Sequence, residues 1–162
     1  MPLELDPGVP MLRHAVATVA YRGAKAIRGA PPEFAGFRLT PATRAAGEIL
    51  AHMGDLFDWA LALAQGRHEW NDSSPQSWEE ESARFFRTLA AFDGYLVSGL
   101  PLGVTPDKLF QGPVADALTH IGQLAIMRRV SGAPIRAENY LKAEIAVGRV
   151  SAEQPTPRKE FG

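Results

Sequence analysis

Cysteine is absent from this 162-residue chain. That excludes a disulfide scaffold, a Cys-ligated zinc finger, an iron–sulfur cluster and a cysteine nucleophile. Any metal would have to be held by nitrogen and oxygen, and only four His are available as nitrogen donors. An excess of one charge is missing too: 17 Lys and Arg stand against 18 Asp and Glu, a formal net charge of -1. Such a balance speaks against a nucleic-acid binder that relies on a general phosphate-attracting field. Long apolar runs are also lacking. Gly54-Asp55 and Asp58 interrupt the most apolar stretch, so no window approaches the roughly 18 residues of a membrane span. Met1 to Pro10 carries acids and prolines where a secretory signal needs basic residues and then an apolar run. The expectation is a cytoplasmic protein with neither a nucleic-acid nor a membrane partner.

What is present fits a globular domain: 46% hydrophobic and 22% charged residues. A chain of this length buries roughly 70% of its unfolded surface, enough for a core without staples. The breakers divide it regularly. After Pro7-Gly8-Val9-Pro10, the recurrence of Leu12, Ala15, Val16 and Val19 predicts a helix from Met11 to about Arg28, stopped by Gly29-Ala30-Pro31-Pro32. Thr40-Pro41 reads as an N-cap followed by Pro at the first helical position, which starts a second helix that runs to about Gln65. Ser77-Trp78-Glu79-Glu80 is a capping box for a third helix ending near Ser98. A fourth begins near Asp107 or Gly112 and reaches Ser131, where Gly132-Ala133-Pro134 ends it. A short fifth helix is expected over Ala137 to Val147, and Ser151 to Gly162 reads as a loose, flexible tail. With little two-residue alternation, the pattern predicts an all-α, antiparallel four-helix bundle over residues 1–150 and a tail over 151–162.

Two of the four His lie in apolar helices. On a wheel of about 100° per residue, His52 has Ile49, Met53, Leu56 and Phe57 to one side and Glu48, Asp55 and Trp59 to the other. It stands on the boundary of the core. The fourth helix is apolar on most sides, with one stripe of Asp116, His120, Gln123, Leu124 and Met127. Asp116 and His120 are four apart, stacked one turn above the other and able to grip one ion. A metal would relieve the cost of burying the carboxylate. Two ligands from one helix and a third from a facing helix is how bundles build metal sites, and His52, Asp116 and His120 form that set. The same residues allow a plainer account, in which each His is a hydrogen-bonded structural residue and Asp116 caps the fourth helix. His14 reads as solvated, and His68 lies in a polar loop. The cluster Arg128-Arg129 and Arg136 suits either an acidic substrate or a helix C-terminus. The Trp residues at 59, 70 and 78 read as packing. No Walker loop, no dinucleotide-binding glycine motif and no Ser elbow occurs.

The segment His120-Ile121-Gly122-Gln123-Leu124, followed by Met127-Arg128-Arg129, resembles the DinB/YfiT-like superfamily of metal-binding four-helix bundles. Glu48 to Met53, with its single His, resembles the family's upstream helix. The similarity covers residues 9 to 147 in helix order and length, with specific motifs over about a dozen residues. It implies a divalent ion, zinc or nickel, on His52, Asp116 and His120. Many members have His where this chain has Asp116; an acid there resembles the related mycothiol-dependent maleylpyruvate isomerases. The implied activity is metal-dependent chemistry on a small molecule: S-transfer or isomerisation with a thiol cofactor, or hydrolysis. The thiol would come from outside, a low-molecular-weight cofactor, because the chain has none. Gln123 and Glu48 are the expected catalytic residues, Arg128 the expected anchor for an acidic substrate, and a homodimer the expected assembly. The competing expectation is a non-catalytic dimeric bundle, an interaction or stress-response module whose metal site is a relic.

Overall fold

The computed structural model describes residues 4–162. Helix α1 (Val9–Ile27) is followed by a 3-10 turn at Pro32–Gly36, then by α2 (Ala46–Ala64) and α3 (Trp78–Val97). A single turn, α4 (Pro106–Leu109), passes through a π-helical turn at Phe110–Val114 directly into α5 (Ala115–Val130). Two short strands, β1 (Ala137–Glu138) and β2 (Glu160–Phe161), pair antiparallel near the end. The chain is thus mostly helical, with four long helices, the short α4 joined to the last of them, and a minimal sheet. Among the described residues no helix is long and apolar enough to cross a membrane.

Helical spacing puts one apolar stripe of each long helix into a common core. Leu12, Val16 and Val19 of α1, Leu50, Met53 and Phe57 of α2, Phe85, Leu89 and Phe92 of α3, and Leu124 of α5 are all buried. Phe57 lies 6.1 Å from both Phe85 and Phe92, ring centre to ring centre. Each such side chain contributes about 1.5–3 kcal/mol by leaving water. The Ser77 capping box forms as expected: Glu80 N–H donates to Ser77 Oγ at 3.2 Å, and Ser77 N–H donates to the Glu80 carboxylate at 3.1 Å.

Three expectations are corrected. Thr40-Pro41 does not start α2. Thr43 N–H and Oγ1–H both donate to Thr40 C=O at 3.1 and 3.0 Å, closing a separate turn. The helix begins only at Ala46, where the Glu48 carboxylate accepts from Ala45 N–H at 2.6 Å. No helix forms over 137–147. Its start pairs with β2, and only a 3-10 turn at Tyr140–Lys142 remains. The backbone there pairs with a distant strand because its side chains gain more from α1. Glu138 is buried and accepts from Tyr21 Oη and from Lys25 Nζ, the latter at 2.6 Å. Finally, the segment read as a loose tail returns along the molecule. Glu160 accepts from Lys25 at 2.9 Å, and Asn139 N–H donates to Lys159 C=O at 2.9 Å.

One largely shielded cation joins α2 to α3. Arg84 donates to Glu81 at 3.1 Å and to Asp55 at 3.0 Å, and its other terminal nitrogen donates to Ala51 C=O at 2.6 Å. Glu81 and Asp55 are both buried. The guanidinium fits because Gly54 offers no side chain: a Cβ there would lie 2.8 Å from Arg84 Cζ.

Gly54→Ala should therefore destabilise the protein by about 1–3 kcal/mol, because displacing the guanidinium outweighs the helix propensity gained. Gly94→Ala on α3, where a Cβ meets nothing within 4 Å, should stabilise by about 0.5–1 kcal/mol. Urea unfolding of both variants measures the contrast. Lys25 and Arg136 hold the Glu160 carboxyl below its ordinary value of 4.5. Its contribution to stability is therefore present above that pH and is lost as pH falls through its folded-state pKa. Glu160→Gln should flatten the acid limb of the stability curve, as thermal melts from pH 6 down to about pH 3 would show.

Candidate metal centre

The π-helical turn sets the orientation of the ligand-bearing helix. Pro113 lies inside it and has no N–H to give the helical ladder, so the chain takes the wider turn and resumes α-helix at Ala115. Asp116 therefore sits inside a continuing helix and is not its cap. From there Asp116 and His120 face His52 of α2. The His52 and Asp116 side chains lie with Nε2 and Oδ2 3.4 Å apart, and His120 Nε2 is 3.4 Å from Asp116 Oδ1. The two imidazoles meet edge to face, with ring centres 4.7 Å apart.

One ligand atom from each of the three residues falls within a 4.8 Å span. The 3.4 Å separations run to different oxygens of Asp116 and are long for hydrogen bonds. The donor set of two imidazoles and one carboxylate suits zinc, nickel or another borderline divalent ion. Burial, and then the neighbouring His120, pushes the His52 imidazolium to a lower pKa, against the pull of Asp116. His52 is thereby favoured as the neutral ring that a metal requires. Contrary to the expectation from the apolar fourth helix, the Asp116 side chain keeps 45% of its exposure. Little desolvation cost thus remains for an ion to relieve.

Gln123 holds the site from behind. Its Oε1 lies 3.1 Å from His120 Nδ1, so a proton on Nδ1 leaves Nε2 with its lone pair toward Asp116 and His52. Gln123 is a positioning residue rather than an acid or base. Glu48 lies on the rim, where Ala45 N–H and the Arg38 guanidinium, both bound to its carboxylate, lower its pKa. It is ionised near neutrality and occupied by the helix start, which disfavours the proton-shuttle role expected of it.

Arg128 is not at the site. Its side chain is buried and donates to Ala26 C=O at 2.7 Å, Arg28 C=O at 2.9 Å and Ala133 C=O at 2.7 Å. It ties the C-terminus of α1 to the loop after α5, so its guanidinium is engaged within the fold and away from the triad. The cation beside the centre is Arg44. It is exposed, has no hydrogen bond or ion pair among the described residues, and lines the clefts on both sides of the triad. One cleft, about 370 Å³, is polar and reaches His52, Glu48 and Ser73. The other, about 430 Å³, is mostly apolar, with Ile49, Ile126 and Met127 beside His120 and Gln123.

Sequence patterning also missed Trp70. Its ring meets the edge of His52 at 5.5 Å and that of Trp59 at 5.7 Å. The loop carrying it is anchored by Asp55, whose carboxylate accepts from Ser73 N–H at 2.9 Å and from Ser73 Oγ at 2.5 Å. Asn71 to Pro75 reads only as a turn, and nothing in its spacing with Asp55 announces the contact. His14 and His68 are exposed, as their polar surroundings suggest.

Arg128→Met should destabilise the fold by roughly 2–4 kcal/mol through three carbonyls left without a charged donor. It should leave metal binding by the folded fraction unchanged, which chemical unfolding and metal titration would separate.

No protein-family model, no curated protein and no solved structure matches this chain, so its functional reading rests on the residues of the site themselves.

Proposed function

We propose that the protein is a divalent-metal-dependent enzyme acting on a small molecule, with His52, Asp116 and His120 as the metal ligands. The observation that carries this reading is the convergence of the three ligand atoms, from two helices 64 residues apart in sequence, within 4.8 Å. The arrangement as an antiparallel four-helix bundle and the relationship to the DinB/YfiT-like superfamily belong to the same proposal. They rest on the helix order and on the segment His120 to Leu124. A cytoplasmic location and a homodimer are further parts of it, the latter checked by gel filtration.

A bound divalent cation would supply Lewis acidity, favouring the ionised form of a thiol or water. The chain's own residues do the rest. Gln123 fixes the tautomer and plane of His120, as ligand-orienting partners do. Trp70 and Trp59 wall the His52 side of the centre and keep bulk water from one face. Arg44 offers an uncommitted guanidinium to an acidic group, while Leu39, Ile49 and Ile126 give an apolar body a surface. With no cysteine in the chain, any thiol arrives with a cofactor. Two clefts meeting at the triad, one polar and one apolar, favour this reading over a relic site in a non-catalytic module, which would be filled by side chains.

Protein purified without an immobilised-nickel column should carry about one equivalent of a divalent metal by elemental analysis. His52→Ala and His120→Ala should lose it while keeping the helical circular dichroism. Gln123→Ala should keep the stoichiometry but bind roughly 10- to 100-fold more weakly in a chelator competition. Metal-free wild type that takes up no added zinc or nickel, or His variants that retain the metal, would overturn the assignment.

A further inference from the structure

On the face of α5 turned away from the candidate metal centre, α1 and α5 frame a third cleft of about 460 Å³. Its floor is apolar, formed by Leu118, Ile121 and Ile135, and Arg22 and Arg129 line it from the two helices. Among the described residues no carboxylate lines it. That composition is unusual within this protein. The other Lys and Arg residues shielded from solvent are satisfied: Arg13 by Asp93, Lys25 by Glu138 and Glu160, Arg84 by Glu81 and Asp55, and Arg128 and Arg149 by carbonyls. Arg22 alone, among the described residues, is shielded and makes no hydrogen bond. Its Nε is, among the described residues, the one buried side-chain nitrogen or oxygen without a hydrogen-bond partner. Its guanidinium lies over the Tyr140 ring at 3.8 Å, which fixes its plane without neutralising its charge. Arg129 is exposed and likewise has no partner among the described residues.

Two unneutralised guanidiniums in one concave, partly desolvated site repel each other, and a partly shielded donor without an acceptor costs free energy. An oxyanion placed between them would remove both costs at once. We infer that this cleft binds an amphipathic organic anion: a head carrying two negative charges, of the phosphate monoester kind, held by Arg22 and Arg129, with an apolar body on Ile121 and Ile135. Arg suits such a head because its planar fork pairs with two oxygens together. Tyr140 holds the Arg22 fork in place. Gly122 explains how the body gains access. It lines the cleft, and a Cβ there would meet nothing within 4 Å, so the glycine adds no side chain to that wall. The segment His120 to Gln123 thus serves two faces, His120 and Gln123 toward the metal centre and Gly122 toward this site.

The test is a titration of the full-length protein with phenyl phosphate, followed by NMR shifts or calorimetry, with inorganic phosphate and benzyl alcohol as the separated head and body. Phenyl phosphate should bind saturably and at least about tenfold more tightly than either part, since each tenfold corresponds to only about 1.4 kcal/mol. Arg22→Gln and Arg129→Gln should each weaken it by roughly tenfold or more, the usual worth of a charge-assisted pair. Gly122→Leu separates binding from folding. It should keep or raise the melting temperature, because Gly is a poor helix former, and yet abolish binding by filling the cleft. His52→Ala and His120→Ala should bind phenyl phosphate as wild type does, so that failure of the metal centre and failure of this site are told apart. No saturable binding, equal affinity for inorganic phosphate, or undiminished binding by Gly122→Leu would overturn the inference.

Discussion

The candidate site depends on the partly shielded guanidinium of Arg84. It reaches from α3 across the glycine gap at Gly54 to Asp55 on α2, and Asp55 in turn holds Ser73 of the connecting loop. That loop brings Trp70 against His52. A cation placed between two buried carboxylates needs full compensation, because an unpaired charge there costs several kcal/mol. Arg84 receives it from Glu81, Asp55 and the Ala51 carbonyl. The pairing of α2 with α3 and the wall of the metal centre are thus one network. Keeping two acids and a base from water is offset by these contacts, and the same contacts fix the position of His52.

A second constraint acts on the other side of the centre. Pro113 cannot donate to the helical ladder, and the π-helical turn that accommodates it lies one residue ahead of the helix bearing Asp116 and His120. Each extra residue in a turn rotates the downstream helix by about 100°. The π turn therefore helps decide which stripe of α5 meets α2, and Gln123 then fixes the ring of His120 within that stripe. A third constraint is the late start of α2. Thr40 to Arg44 stay outside the helix, which leaves Arg44 free at the junction of the two clefts beside the triad.

Helix α5 carries the two proposed sites on opposite faces. His120 looks toward His52 of α2, with Gln123 beside it; Ile121 and Gly122 line the cleft shared with α1, where Arg22 and Arg129 lie. One helix of 16 residues thereby separates a site suited to a cation from a site suited to an anion. Pairing of the C-terminal strand with β1 supports this division. Glu138 and Glu160 meet Lys25 and so hold Tyr140 over Arg22.

Much of this was legible in the residues. The spacing of apolar positions set the number and order of the long helices, the Ser77 capping box fixed the start of α3, and the four-residue step from Asp116 to His120 put two donors on one stripe. These are local consequences of backbone geometry, and a sequence carries them openly. The rest required partners distant along the chain. Thr40-Pro41 has the chemistry of a helix start, yet Thr43 offered it a turn. Residues 137–147 have helical composition, yet Glu138 found Lys25 and Tyr21. Arg128 has the look of a substrate anchor, yet backbone carbonyls claimed it, and Arg22, Arg44 and Arg129 are among the described cations left without a hydrogen bond or ion pair. The sequence by itself determined which residues could be helical, apolar or ligating. Only the tertiary structure decided which charges were paired with one another and which were left over, because pairing depends on distances that no local pattern encodes.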